Sequence, residues 1–209
     1  MPASTDELLL LSGGLDSSAL AVLRCPSNAL TIDYGHVCAE AERVAARTVC
    51  DLLGIAHHTL TIDCSAIGAG LLAGRDLSDQ TSNGRDEHGA AAEFWPFRNQ
   101  LLATLAAGVA YRLGLKRVVL GCVSTDRERH VDGSPSFVEA LAAVTRMQEG
   151  GIDVVAPASE LTTQDLIELA EVPLSLLGWT HSCHTANLAC GSCPGCRKRS
   201  LVLDDVAPL

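Results

Sequence analysis

The stretch that most constrains this chain runs from Leu9 to Leu23. An apolar run, Leu9-Leu10-Leu11, ends in Ser12-Gly13-Gly14-Leu15-Asp16-Ser17-Ser18, and Ala19-Leu20-Ala21-Val22-Leu23 follows with helical character. That order predicts a buried strand, a tight turn and a helix N-terminus. Glycines let a backbone come close to a ligand, and the first turn of a helix offers unpaired N–H groups with a partial positive charge. With hydroxyls at Ser12, Ser17 and Ser18, the turn has the chemistry of a phosphate or pyrophosphate cradle. The same residue types also serve as plain turn and cap chemistry. The full string S-G-G-x-D-S-S behind a strand is more specific than a lone Ser-Gly-Gly, and it matches neither the Walker A pattern nor G-x-G-x-x-G.

The rest of the chain alternates strand and helix. Strands are predicted at 8–11, 29–34, 59–62, 117–121 and 153–157, and helices at about 17–24, 37–53, 96–113, 135–146 and 163–170, the last capped by Thr162 or Thr163. This alternation predicts an α/β fold with a five-stranded parallel, doubly wound sheet. Ligands of such sheets bind at the carboxyl ends of the strands, where both the Ser12–Ser18 turn and Asp33-Tyr34 fall. The polar stretch from about 73 to 93 fits no element and reads as a flap over the site or a surface insertion. Residues 1–175 are read as one α/β domain carrying the cradle-like turn, with 176–209 as a tail packed on it.

Hydrophobic residues make up 47% of the 209, enough for one sizeable core. No apolar run reaches membrane-spanning length, and the acidic start, Met1 to Glu7, is no signal peptide. A cytoplasmic protein with no membrane partner is expected. The net charge of −10 turns the reading away from nucleic acid. The short basic triplet Arg197-Lys198-Arg199 reads as a solvated terminal face.

Nine cysteines are present, an odd number, and no disulfide framework is expected. Five lie scattered in apolar segments, as small core residues do. Four cluster as Cys183, Cys190, Cys193 and Cys196, with spacing C-x6-C-x2-C-x2-C and Gly and Pro tightening the turns. Four thiolates so spaced suit a closed, structural Zn²⁺ site. An iron–sulfur cluster or a redox pair would use the same residues. His181 and His184, flanking Cys183, take surface or supporting positions.

The Ser12–Ser18 string resembles the pyrophosphate-binding loop of the PP-loop ATP pyrophosphatases, which cleave ATP between the α and β phosphates and activate their substrate as an adenylate. Within that superfamily, several segments in order resemble the 7-cyano-7-deazaguanine synthase family of queuosine biosynthesis. They are Ser12 to Ser18, Asp33-Tyr34-Gly35 with Glu40, Arg98-Asn99, Asp126 with Asp132 and Phe137, and Ser182-Cys183 with Cys190, Cys193, Cys196 and Arg199. The resemblance implies ATP-dependent adenylation of a carboxylated deazapurine, amidation by ammonia or another amine, and a second ATP-driven step to the nitrile. It implies ATP binding by Leu11, Ser12, Gly13, Gly14, Leu15, Asp16, Ser17, Ser18, Ala19, Leu20 and Ala21, with Asp33 and Tyr34. It further implies chemistry at Asp16, Ser17, Arg98, Asp126 and Asp132, substrate binding by Arg98, Asn99, Asp126 and Asp132, Zn²⁺ on the four tail cysteines, Mg²⁺ near Asp16, and a homodimer.

Departures from the family pattern are also plain. Phe97 stands where a glycine is usual before Arg-Asn. His130-Val131-Asp132-Gly133-Ser134 replaces Tyr-Pro-Asp-Cys-Arg, and His36-Val37-Cys38 stands after Tyr-Gly where Gln-Arg-His is usual. They leave room for a paralogue joining a deazapurine acid to a protein amine, as in queuosine-enzyme-like antiphage proteins, for a tRNA-thiolating enzyme, and for a nucleotide-binding module without chemistry.

Overall fold

The computed structural model describes residues 4–75, 91, 93–126 and 130–206. Five strands, β1 (Ser4–Leu10), β2 (Pro26–Asp33), β3 (Ala56–Thr61), β4 (Arg117–Val119) and β5 (Asp153–Val155), form one parallel sheet in the order β3-β2-β1-β4-β5. Among the described residues, seven α-helices accompany them: α1 (Leu15–Arg24), α2 (Ala39–Leu53), α3 (Arg98–Leu113), α4 (Pro135–Arg146), α5 (Thr163–Leu169), α6 (Leu174–Leu177) and α7 (Pro194–Val206). The expected α/β class and five-stranded parallel sheet are what the chain forms. Among the described residues, no helix is long and apolar enough to cross a membrane.

Alternation along the central strands builds two cores, one on each face of the sheet. Leu9 and Val119 point to the face covered by α1, α2, α5 and α7, where they meet Leu20, Val49, Leu166 and Val202. Their neighbours Leu8 and Val118 point to the opposite face and pack with Ala103, Ala106 and Ala110 of α3 and Leu141 of α4. Strands buried on both faces read as continuous apolar runs, which is why β1 and β4 are legible in the sequence. The chain winds from β1 outward through β2 to β3, then returns across the sheet to place β4 on the other side of β1. That reversal opens a crevice at the carboxyl ends of β1 and β4.

Several boundaries differ from expectation. β1 begins at Ser4, so Glu7 lies within a central strand and is buried. It is tolerated because Arg24 and Arg117 pair with its carboxylate. β2 begins at Pro26, a position where a strand does not need the missing N–H. β4 and β5 stop at Val119 and Val155, two residues short of expectation, because the chain peels away there and Leu120 to Val123 line the crevice. Thr162, not Thr163, caps α5, in a capping box with Asp165. α7 was not anticipated. Most of the polar stretch predicted as a flap, 76–90 and 92, lies outside the described residues.

Candidate functional site

A cleft of about 600 Å³ opens where the carboxyl ends of β2, β1 and β4 meet the tail. The Ser12–Ser17 turn forms its floor. Gly13 has φ +76°, and a Cβ there would come within 2.7 Å of the Ala45 Cβ and the Ala46 nitrogen on α2. The turn thus packs against α2 only with glycine at this position. Gly14 caps α1 in extended geometry with no side-chain cap, which leaves the N–H groups of Leu15, Asp16 and Ser17 to a ligand. The hydroxyls of Ser12 and Ser17 are 3.2 Å apart, and the fully buried Ser18 Oγ has no partner among the described residues. From the tail, His181 N donates to Gly13 O at 2.9 Å, so the C-terminal segment holds the turn in place.

Beside the turn lies a charge centre. Lys198 Nζ sits 2.9 Å from Asp16 Oδ2 and 2.8 Å from Asp126 Oδ1, and Thr163 Oγ1 donates to Asp16 Oδ1 at 2.6 Å. Burial holds the Asp16 carboxyl above the ordinary carboxylate range, against the pull of the Lys198 ammonium. Burial alone would lower the Lys198 ammonium, but Asp16 and Asp126 more than offset it and hold it above its ordinary value.

Opposite the turn, the wall is built from β2, α3 and the segments around 93, 130 and 184. Arg98 opens α3 and hydrogen-bonds Tyr34 at the end of β2, with Asp132 and Glu42 also close enough to favour its charge. Burial raises the Tyr34 phenol, which stays protonated at neutral pH. Asn99 N donates to Asp132 Oδ2 at 3.3 Å and Asn99 Nδ2 to the Asp132 carbonyl at 3.0 Å. Asp132 thereby holds the first turn of α3 and with it Arg98. His130 Nε2 lies 3.4 Å from the buried Glu93 carboxylate. Burial pushes the neighbouring His184 down to about 4, so its ring is neutral at pH 7.

The tail cysteines converge. The four Sγ atoms all lie within 4.8 Å of one another, with Cys190–Cys196 at 3.9 Å and Cys183–Cys193 at 4.0 Å. Tetrahedral Zn–S bonds of about 2.3 Å would set sulfurs about 3.8 Å apart, so the set fits a metal ion. Backbone N–H groups of Cys193 and Cys196 point at the sulfurs of Cys190 and Cys193. The Thr185 hydroxyl and the N–H groups of Ser192 and Cys193 bring the Cys190 thiol down to about 5. Gly195 has no alternative here, since a Cβ would run into the Ser182 carbonyl.

The structure gathers most of the residues singled out from the sequence around one cavity. Leu11, Ser12, Gly14, Leu15, Asp16, Ser17, Tyr34, Arg98, Asn99 and Asp126 line it. Gly13 and Asp132 support lining residues from behind, while Ala19, Leu20 and Ala21 sit in the core inside α1. Asp33 turns its carboxylate to Gly35 N at 2.9 Å. The basic triplet is corrected in part. Lys198 enters the cleft, and Arg199 donates to Thr180 Oγ1 and Leu177 O. The missed signal was Val202, four residues beyond Lys198 and therefore on the same helical face. Val202 is buried against the core, so Lys198 also faces inward. Glu93, His130 and Thr163 were missed as well, because only tertiary packing brings them here.

A parallel sheet with a glycine turn at its switch point, a cleft over that turn and a four-cysteine tail together define an α/β protein of the PP-loop type. The family model described as Queuosine biosynthesis protein QueC matches residues 6–206, and the chain belongs to that family. It is 30% identical over 213 residues to 7-cyano-7-deazaguanine synthase of Chromobacterium violaceum, covering 96% of this chain and 90% of that one. It is 32% identical over 209 residues to the synthase of Nostoc punctiforme, covering 92% of each. Among solved structures, a predicted subunit of tRNA methyltransferase from Methanocaldococcus jannaschii shares the fold, with TM-score 0.51, 20% identity, and coverage of 80% of this chain and 74% of that one.

Proposed function

We propose that the cleft activates a carboxylated deazapurine, of the 7-carboxy-7-deazaguanine type, as an adenylate at the expense of ATP, and passes it to ammonia. One observation carries this reading. The anion-binding turn and the Arg98 guanidinium line the same cavity, so a triphosphate and a carboxylate would be held together in it. The curated relatives named 7-cyano-7-deazaguanine synthase, matched over nearly their whole length, support it.

A carboxylate is a poor electrophile. Joining it to the α-phosphorus of ATP makes a mixed anhydride and releases pyrophosphate. The N–H groups of the first turn of α1, with the Ser12 and Ser17 hydroxyls, would hold the departing pyrophosphate, as preorganised dipoles do where charge develops. Arg98, fixed by Tyr34 and Asp132, would orient the attacking carboxylate. The Asp16 and Asp126 carboxylates are hard oxygen donors that would hold Mg²⁺ beside the phosphates. That ion would supply charge neutralisation to the polyphosphate. Lys198 offsets those carboxylates and lets an anion approach them. Ammonia then displaces AMP to give the amide, and a second ATP activates the amide oxygen for loss to the nitrile.

The tail, which we take as 176–209 packed on a domain spanning 1–175, would be closed around Zn²⁺ at Cys183, Cys190, Cys193 and Cys196. Four protein ligands leave no position for water, so its part is to anchor His181 against Gly13 and Lys198 beside Asp16. The test is AMP formation from ATP with a panel of carboxylic acids that starts from 7-carboxy-7-deazaguanine. AMP that depends on the deazapurine acid supports the reading. ADP, or no acid-dependent turnover by folded, metal-loaded protein, contradicts it. Mass measurement of added protein substrates would reveal a protein amine acceptor as a covalent adduct.

A further inference from the structure

A second cluster of metal-ligating side chains lies outside the cysteine tail, in the turn between β2 and α2. His36, Cys38 and Glu42 bring one ligand atom each to within 4.8 Å of the others. His36 Nε2 is 3.1 Å from Glu42 Oε2, and Cys38 Sγ is 3.5 Å from Glu42 Oε1. We propose that these three residues form a second metal site for Zn²⁺ or a chemically similar borderline divalent cation, with its fourth position turned toward the cleft.

The geometry fits such an ion. Bonds of about 2.0–2.3 Å to nitrogen, oxygen and sulfur in a tetrahedron separate ligand atoms by about 3.3–3.8 Å; the two measured separations, each to a different Glu42 oxygen, fall close to that span. The ligands are held before any ion arrives. Cys38 caps α2, and Glu42 N bonds to Cys38 O, so the two side chains share one helical face. The His36 ring stacks on Tyr34 at a centroid distance of 4.0 Å, and Trp95 packs edge-on against Tyr34 at 4.9 Å. His36 Nδ1 has no hydrogen-bond partner among the described residues. The proton can rest there and leave the Nε2 lone pair aimed at Glu42 and Cys38.

The charges balance too. Without metal, the half-buried Glu42 carboxylate accepts hydrogen bonds from an imidazole N–H and a thiol S–H. With metal, the imidazole proton moves to Nδ1 and the thiol proton leaves, and one thiolate and one carboxylate neutralise a dication in a site where His36 and Cys38 are inaccessible. A His, Cys and carboxylate set mixes soft and hard donors, which suits Zn²⁺ rather than Mg²⁺ or Ca²⁺. Three protein ligands leave the fourth position to water or substrate. Glu42 lines the cleft together with Tyr34 and Arg98, so that position would open from the wall opposite the anion-binding turn.

The site is tested by metal analysis, independent of any activity. Full-length protein purified with zinc and without chelators is expected to carry two equivalents per chain. Glu42→Gln and Cys38→Ser are each expected to carry one, and Cys196→Ser is expected to keep the His36 site while losing the tail ion. Glu42→Gln preserves the shape of the side chain, so it reads the site even where Cys38→Ser fails to fold, and far-UV circular dichroism verifies its fold. One equivalent in the wild type, or two equivalents retained by folded Glu42→Gln, would overturn the proposal.

Discussion

Two clusters of paired charges lie at opposite ends of the sheet, and they differ in what they leave open. At the amino end, buried Glu7 pairs with Arg24 and Arg117, Arg117 also meets Asp153, and Asp153 meets Arg146. The set ties β1, β4, β5, α1 and α4 together. At the carboxyl end, Lys198 answers two carboxylates, Asp16 and Asp126, which border a 600 Å³ cleft. The first network is closed on itself and serves the fold. The second faces space that a polyanion fits, and the helix N-terminus beside it adds positive potential. Ion pairing alone does not mark a functional site. Pairing beside a cavity and an anion-binding turn does.

Breaking the carboxyl-end cluster is expected to give the largest effect. Asp16→Ala should lower acid-dependent AMP release by about 100-fold or more while far-UV circular dichroism is unchanged. Steady-state kinetics on folded protein checks this. A smaller and more specific change follows from Lys198→Met. The Lys198 ammonium lowers an Asp16 carboxyl that burial raises, so its loss should move the acid limb of the AMP-release profile to higher pH. It should also raise the KM for ATP about tenfold. A pH–rate series on both proteins reads the two effects, and a profile unmoved by the substitution would separate Lys198 from the chemistry.

The amino-end cluster should behave in the opposite way. Glu7→Gln should cost about 2 kcal/mol in urea unfolding, below the range for a fully buried pair because both arginines are partly exposed. The KM for ATP should stay as it is. The smallest effect is expected away from both clusters, at Phe97. This residue takes φ +57° just before α3 and is 76% exposed, so its ring contributes little packing and its backbone carries strain. Phe97→Gly should gain about 0.5–1 kcal/mol after the entropy that glycine loses on folding, measured by the same urea titration.

What was legible in the sequence was what local chemistry decides. Ser12 to Ser18 could be read because a glycine turn after an apolar run and before a helix has few other uses. The tail cysteines could be read because spacing alone brings them together. Phe97 was visible as a departure from a glycine, and its left-handed backbone shows why glycine suits the position. Lys198 was not legible as a site residue, since a basic triplet near a terminus usually faces water. Its role depends on α7 docking through Val202. The buried Glu7 escaped for the same reason, because its partners lie 17 and 110 positions away. Of the turn after β2, the sequence showed only a departure from the family pattern; the fold brings three side chains able to ligate a metal together there.

Oxygen transfer tests adenylation at this cleft most directly. 7-Carboxy-7-deazaguanine labelled with ¹⁸O in its carboxylate would be turned over with ATP and ammonia, and the AMP analysed by mass spectrometry. Attack of the carboxylate on the α-phosphorus leaves one labelled oxygen in AMP when ammonia displaces it, and each AMP should therefore carry one ¹⁸O. Unlabelled AMP, or ADP in its place, would contradict adenylation.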